Sequence, residues 1–158
     1  MKNDTWTFSG KAGRSQRVRS AELVRALSQA ERPLRIILVD DDPLFSRMLS
    51  KRAGKDDIMV TCCIAIRDLR EAYEKMQYDV AIVDYNLRHL KGSNVARLLG
   101  DIPVVMVSSS DEVFACEDQV LQSVKCCMNK REGLEAIVDR AIEFGLHSLA
   151  RNSERIHW

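Results

Sequence analysis

The stretch RIILVDDDP, residues 35–43, decides the fold, because an unbroken apolar run stops abruptly on three carboxylates and a proline. Such a run is typical of a strand that is covered on both faces, as in a parallel sheet. Pro43 suits the first turn of a following helix, with Asp42 as its N-cap, because that position needs no N–H. The stretch therefore predicts a strand, a carboxylate-rich turn and a helix.

Three further apolar runs also stop on a polar residue. They are DVAIVD (79–84), IPVVMVS (102–108) and VKCCMNK (124–130), which end on Asp84, Ser108 and Lys130. The strands are predicted near 34–39, 58–64, 79–83, 103–107 and 124–128, and the helices near 43–54, 67–76, 93–99, 111–123 and 131–150. These strand–helix units predict an α/β fold with a doubly wound five-stranded parallel sheet in three layers, a flavodoxin-like (βα)5 sandwich.

The first 33 residues differ from the rest in charge. Residues 1–32 carry seven Lys/Arg against three Asp/Glu, whereas the whole chain has a net charge of only +1. Ser20 is a suitable N-cap for an amphipathic helix through about Gln29, which must dock on the domain, on a second subunit or on a partner. We predict a basic N-terminal arm with this short helix over 1–33, one domain over 34–150 and a tail over 151–158.

The cysteines and the apolar runs bear on the cellular compartment. Cys62-Cys63 and Cys126-Cys127 are vicinal pairs, and neighbours on a strand point to opposite faces, so they are poor disulfide partners. We expect buried strand cysteines in a reducing cytosol. No apolar run approaches the roughly 20 residues that span a bilayer, and residues 1–10 lack a secretory apolar segment, which predicts a cytoplasmic protein.

The polar residues that end the strands are expected to meet. In a parallel sheet the carboxyl ends of all strands lie at one edge, where α/β proteins bind ligands. Adjacent carboxylates such as Asp40 and Asp41 repel one another unless a cation lies among them, and hard oxygen ligands favour Mg²⁺. A carboxylate beside that ion, here Asp84, can attack phosphorus, with Ser108 and Lys130 contacting the phosphoryl oxygens. Taken singly, Ser108 is more simply a cap or turn residue and Lys130 a solvated helix start, but the four positions together favour a phosphoryl-transfer site.

At this level of detail the chain resembles the response-regulator receiver domain of two-component signalling. The resemblance runs from about Leu34 to Gly145. The matching stretches are ILVDDDP (37–43), DVAIVDYNL (79–87) with Gly92, VMVSS (105–109) and Lys130.

The resemblance implies a role for each site residue. Asp84 would be the phosphoacceptor, Ser108 the switch hydroxyl and Lys130 the cation that binds the phosphoryl group. The Mg²⁺ ligands would be Asp40, Asp41, Asp84 and the backbone carbonyl of Asn86. Asn86 and Ser110 would lie at the rim, where the lifetime of the aspartyl phosphate is tuned.

The resemblance also implies partners. A histidine kinase or phosphotransfer protein would donate the phosphoryl group, and the domain would catalyse only its own phosphorylation and dephosphorylation. Ser108 would then move, and the face made by the helix near 111–123, the fifth strand and the last helix would be remodelled. The signal would pass by protein–protein association, with a downstream protein target or in a homodimer.

Three departures from the family keep an alternative open. Arg131 follows Lys130 where most receivers have a proline, Cys127 replaces an aromatic switch residue, and the loop 87–92 is basic. The alternative is a pseudo-receiver, a phosphorylation-independent interaction module. A phosphatase of the haloacid dehalogenase class would also use an aspartyl nucleophile, but it needs an acid where Asn86 stands.

The basic arm raises the question of nucleic acid. Lys11, Arg14, Arg17 and Arg19 are candidates for phosphate contacts. The arm has no recognised DNA-binding motif, and a solvated tail is the commoner explanation. Nucleic acid is therefore not an expected partner.

Overall fold

The computed structural model describes residues 12–110 and 122–155, with side chains from residue 21 onward. Its core is one sheet of five parallel strands. The strands are β1 (Arg35–Val39), β2 (Met59–Cys63), β3 (Val80–Asp84), β4 (Val104–Ser108) and β5 (Val124–Asn129), in the spatial order β2-β1-β3-β4-β5. The predicted fold class is confirmed.

Helices cover both faces of the sheet. They are α1 (Ala12–Gln29), α2 (Pro43–Gly54), α3 (Ile66–Lys75), α4 (Gly92–Leu98) and α5 (Leu134–Arg155), with a 3₁₀ turn over Lys130–Glu132. Helices α2 and α5 contribute to one apolar cluster, and α3 and α4 contribute to the other. The helix predicted over 111–123 falls almost wholly outside the described residues.

The three inner strands explain the unbroken apolar runs. Every residue of β3 and β4 is buried, as are the last four residues of β1. Along β1, Ile36 and Leu38 face the α2/α5 cluster, whereas Ile37 and Val39 face the α3/α4 cluster. Alternate residues thus pack against the helices on opposite faces of the sheet, which is why no polar position interrupts these strands.

The edge strands are less covered. In β2 only Cys63 is buried, and Cys62 is exposed. The prediction of a buried Cys62 is wrong, because β2 lies at the border of the sheet, where it pairs with a neighbour on one side only. Cys126 and Cys127 in β5 are half-buried.

The N-terminal helix docks on the domain, which is one of the three expected arrangements. Leu23 and Leu27 pack against the α2/α5 cluster. Just after the helix, the Arg32 guanidinium donates two hydrogen bonds of 2.8 Å to the buried Asp79 carboxylate at the start of β3. Packing and a bidentate ion pair therefore hold α1 at the end of the sheet where β1 and β3 begin.

Both terminal helices are longer than predicted. Helix α1 begins at Ala12, so Ser20 lies inside the helix and is not its N-cap. Helix α5 continues to Arg155, so residues 151–155 do not form the expected tail. Among the described helices, none combines the length and apolar character that a bilayer crossing requires.

Candidate functional site

The acidic residues meet where β1 and β3 end. These strands are neighbours, and their register pairs Val39 with Val83, so Asp40 and Asp84 follow at adjacent positions. Asp40, Asp41 and Asp84 each offer one carboxylate oxygen within 4.8 Å of the other two. The structure thus brings together the three carboxylates that the sequence placed at this edge.

Asp40 is the most deeply buried of the three, with no exposed surface. Its Oδ1 accepts a 2.8 Å hydrogen bond from the backbone N–H of Asp42. Burial raises the pKa of Asp40 to about 6; the Lys130 ammonium and the Asp42 N–H oppose this rise, and the charge of Asp84 adds to it. Asp40 therefore holds a proton more tightly than an ordinary aspartate does.

Lys130 joins two of the carboxylates. Its Nζ lies 2.7 Å from Asp40 Oδ2 and 3.2 Å from Asp84 Oδ2. The same Nζ lies 4.3 Å from the centroid of the Phe45 ring. Burial alone would lower the pKa of Lys130, but the contacts with Asp40 and Asp84 outweigh it and raise the pKa above its ordinary value. The ammonium is thus charged at neutral pH.

Backbone N–H groups hold the other carboxylate oxygens. Asp84 Oδ1 accepts from the N–H of Asn86 at 3.1 Å, and Asp41 Oδ2 accepts from the N–H of Arg88 at 2.9 Å. The guanidinium of Arg88 is 3.9 Å from the same oxygen of Asp41. The loop after β3 therefore fixes both carboxylates from its backbone.

Asp42 has the separate role that the sequence predicted. Its Oδ1 accepts hydrogen bonds from the backbone N–H groups of Leu44 at 3.0 Å and Phe45 at 3.3 Å. These contacts cap α2, whose first residue is Pro43.

Ser108 ends β4 on the other side of Asp84. It is buried, and its Oγ accepts a 3.1 Å hydrogen bond from the backbone N–H of Ser110 and lies 3.3 Å from Ser110 Oγ. Asp84 pairs with Val107, the residue before Ser108, so the serine lies at the same edge as the carboxylates. In this conformation the Ser108 hydroxyl is engaged with its own loop.

Gly92 closes the loop after β3 against the sheet. A Cβ atom at this position would lie 2.4 Å from the backbone oxygen of Asp84 and 2.8 Å from Met106 Sδ. Across the loop, the Lys91 ammonium donates a 2.9 Å hydrogen bond to Asn86 Oδ1. A glycine is thus required for the close approach that holds the backbone around Asp84.

The turn that carries Lys130 is fixed by side-chain hydrogen bonds. Asn129 Oδ1 accepts from the backbone N–H of Arg131 at 2.9 Å, and the N–H of Asn129 donates to Glu132 Oε2 at 2.8 Å. All described peptide bonds are trans, including the one between Lys130 and Arg131. Sequence reasoning missed this turn, although Asn followed three residues later by Glu is a capping-box pattern.

Three carboxylates outweigh the Lys130 ammonium and the exposed Arg88 guanidinium and leave the site negatively charged. Asp40 Oδ2 is buried and lies 2.7 Å from Lys130 Nζ, and a carboxylate oxygen has a second lone pair, so it retains acceptor capacity. An anionic cluster of oxygen ligands with spare acceptor capacity suits a small divalent cation.

Sequence comparisons agree with this geometry. A model of the response regulator receiver domain family matches residues 36–142. Two curated relatives are two-component response regulators, one from Oryza sativa subsp. japonica that is 35% identical and one from Arabidopsis thaliana that is 37% identical, each over 86 residues. These matches cover 50% of this chain but only 14% and 16% of the two relatives, so the chain spans a small part of their length.

Solved structures share the fold. The receiver domain of a Francisella response regulator has a TM-score of 0.64 at 16% identity, covering 74% of this chain and 99% of that one. A Thermotoga maritima response regulator in complex with Mg²⁺-BeF has a TM-score of 0.60 at 14% identity, covering 70% of this chain and 98% of that one. A Burkholderia pseudomallei response regulator with a phosphorylated aspartic acid has a TM-score of 0.61 at 14% identity, covering 76% and 72%. At these identities the likeness establishes the fold alone.

Proposed function

The chain belongs to the response regulator receiver domain family, and on that premise we propose that residues 34–150 act as a phosphoacceptor receiver. A histidine kinase or phosphotransfer protein donates the phosphoryl group, Asp84 accepts it, and the phosphorylated domain signals by protein–protein association. One observation carries the proposal: Asp40, Asp41 and Asp84 lie within 4.8 Å of one another, and the Lys130 ammonium contacts two of them.

The proposal includes a Mg²⁺ ion held by this cluster. Its ligands would be Asp40, Asp41, Asp84 and the backbone carbonyl of Asn86. When bound, the ion supplies positive charge that reduces repulsion between the attacking carboxylate and the incoming phosphoryl oxygens. The excess of carboxylate charge and the spare acceptor capacity of Asp40 support this assignment.

The residues of the chain account for the transfer. A carboxylate oxygen of Asp84 forms a bond to phosphorus while the bond from phosphorus to the donor breaks, and the donor leaves with that electron pair. Lys130 stabilises the negative charge of the phosphoryl oxygens from its position beside Asp84. The Ser108 hydroxyl, now engaged with Ser110, turns to donate a hydrogen bond to a phosphoryl oxygen once the group is attached.

The test uses a small phosphoryl donor, so that no cognate kinase is needed. Incubated with acetyl phosphate and Mg²⁺, the wild-type chain is expected to gain the mass of one phosphoryl group, and Asp84→Asn is expected to keep its unmodified mass. Asp42→Asn is the matched control, because it removes a neighbouring carboxylate but keeps a good helix cap. A wild-type chain that gains no mass would contradict the proposal and favour the pseudo-receiver.

Mg²⁺ binding is expected to weaken as the pH falls through about 6. Burial raises the pKa of Asp40 to about 6, and a protonated carboxyl group is a poor ligand for the ion. Isothermal titration calorimetry between about pH 7.5 and about pH 5 should show an affinity loss that approaches about tenfold per pH unit below the pKa. Asp40→Asn should remove this pH step and Asp42→Asn should retain it, whereas a wild-type affinity that is independent of pH would contradict the role of Asp40.

In the absence of metal, the raised pKa of Asp40 predicts that the free energy of unfolding increases as the pH falls, whereas Mg²⁺ binding weakens. The native state binds the proton more tightly than the unfolded state, so protonation favours folding. This contribution is fully present below about pH 4 and is lost as the pH rises through about 6.

A further inference from the structure

The phosphoryl-binding lysine lies in a turn that lacks the proline expected from the family resemblance. Arg131 occupies that position, and two hydrogen bonds hold the backbone of the turn. The Arg131 N–H donates to Asn129 Oδ1, and the Asn129 N–H donates to Glu132 Oε2. These bonds fix the main chain of Lys130. They do not fix its four-carbon side chain, which carries considerable rotamer entropy.

An aromatic ring contacts the end of that side chain. Phe45 lies in the first turn of α2, three residues after Asp42, and it packs half-buried against the α2/α5 cluster. The Lys130 Nζ lies 4.3 Å from the ring centroid, and only 16% of the lysine side chain is exposed. A cation–π contact is stronger in such desolvated surroundings than at an open surface.

We propose that Phe45 is a positioning residue, whose ring holds the Lys130 ammonium at the Asp40–Asp84 pair so that it meets the incoming phosphoryl group. The inference rests on the proposed function, because it assigns Phe45 a role only through the contact of Lys130 with that group.

The distances explain why a third contact matters. The Lys130 Nζ is 2.7 Å from Asp40 Oδ2 but 3.2 Å from Asp84 Oδ2, so the ammonium lies closer to Asp40 than to the proposed phosphoacceptor. A ring contact adds attraction without adding a competing anion, since the face of the ring is only partially negative. The ring therefore holds the ammonium without a full negative charge that would repel the incoming phosphoryl oxygens.

Two substitutions distinguish the effect of the π face of the ring from the effect of its apolar volume. Phe45→Leu keeps an apolar side chain and removes the π face, whereas Phe45→Tyr keeps both. In the full chain with acetyl phosphate and saturating Mg²⁺, Phe45→Leu is expected to slow phosphorylation of Asp84 by about fivefold to thirtyfold, the range that a desolvated cation–π contact corresponds to. Phe45→Tyr is expected to stay close to the wild-type rate.

A spectroscopic readout follows the contact itself. In the wild type and in Phe45→Tyr, the ring current should shift the NMR signals of the Lys130 ε-methylene protons upfield. In Phe45→Leu that shift should disappear, whether or not the protein is phosphorylated.

The outcomes distinguish the two proposals. A wild-type chain that accepts no phosphoryl group overturns the proposed function, and the positioning role with it. A wild-type chain that is phosphorylated, together with a Phe45→Leu variant at the same rate, overturns the positioning role alone. Equal slowing in Phe45→Leu and Phe45→Tyr also overturns it, because packing would then account for the effect.

Discussion

Replacing Lys130 with methionine is expected to slow phosphorylation of Asp84 by acetyl phosphate by about a hundredfold to a thousandfold. Methionine keeps an unbranched apolar stem but removes the ammonium that lies 2.7 Å from Asp40 and 3.2 Å from Asp84. A positioned donor that stabilises developing charge in a partly buried site typically contributes about this factor to a rate. The measurement is the initial rate of mass gain with saturating Mg²⁺ and acetyl phosphate.

The same substitution should tighten Mg²⁺ binding. The lysine neutralises part of the charge of Asp40 and Asp84, so its removal leaves the cluster more negative. A variant that binds the ion more tightly and yet reacts far more slowly would separate the role of Lys130 from that of the metal. Lys125→Met is the matched control, because Lys125 is an exposed lysine of β5, the strand just before Lys130, and it donates only to the Gln122 carbonyl among its described hydrogen bonds. A Lys130→Met rate close to wild type would contradict the assignment.

The sheet and the meeting of its acidic residues could be predicted because both depend on local pattern and general topology. Unbroken apolar runs indicate strands covered on both faces, and parallel strands place their carboxyl ends at one edge. Predicting that Asp40 lies close to Asp84 required only one further fact, that β1 and β3 are neighbours in the sheet. No knowledge of side-chain packing was necessary.

The helix ends were harder to predict because the cap preference of one residue competes with the helix propensity of its neighbours. Ser20 is a favourable N-cap, but the residues before it include arginine, glutamine and alanine, which propagate a helix well. The helix therefore continues to Ala12, and the cap preference of Ser20 is overridden. The prediction that Cys62 is buried was wrong for another reason, since the exposure of a strand residue depends on whether its strand lies at the edge of the sheet.

Contacts around Lys130 and Ser108 could not be predicted from the sequence. The approach of Phe45 to Lys130 joins residues 85 positions apart through the packing of α2 beside α5, and no sequence periodicity indicates such a contact. The engagement of Ser108 with Ser110 depends on the conformation of a loop. Sequence patterns thus indicated which groups the site contains, whereas the contacts of those groups depend on how distant elements pack.

Replacing Arg32 with methionine is expected to destabilise the protein by about 3 kcal/mol. The Asp79 side chain is only 1% exposed, and both of its oxygens accept hydrogen bonds from the guanidinium. Without Arg32 the carboxylate stays buried with one described donor, the backbone N–H of Arg35 at 2.9 Å, and an incompletely paired buried charge is costly. For a chain of this size the loss corresponds to a melting temperature lower by roughly 6–12 °C, measured by thermal unfolding followed by circular dichroism.

The substitution should also loosen α1, because Arg32 joins that helix to the start of β3, and among the contacts described from residue 21 onward the packing of Leu23 and Leu27 would then have to hold it. Limited trypsin digestion should therefore cleave the Arg32→Met variant within α1 faster than the wild type. Arg25→Met is the matched control for stability, since Arg25 is exposed on the same helix and its removal should not change the melting temperature. Combining Arg32→Met with Asp79→Leu should recover part of the lost stability, because the unpaired charge is then gone. An Arg32→Met variant as stable as the wild type would mean that apolar packing alone docks α1, and the ion pair would then only set the direction in which the chain enters β1.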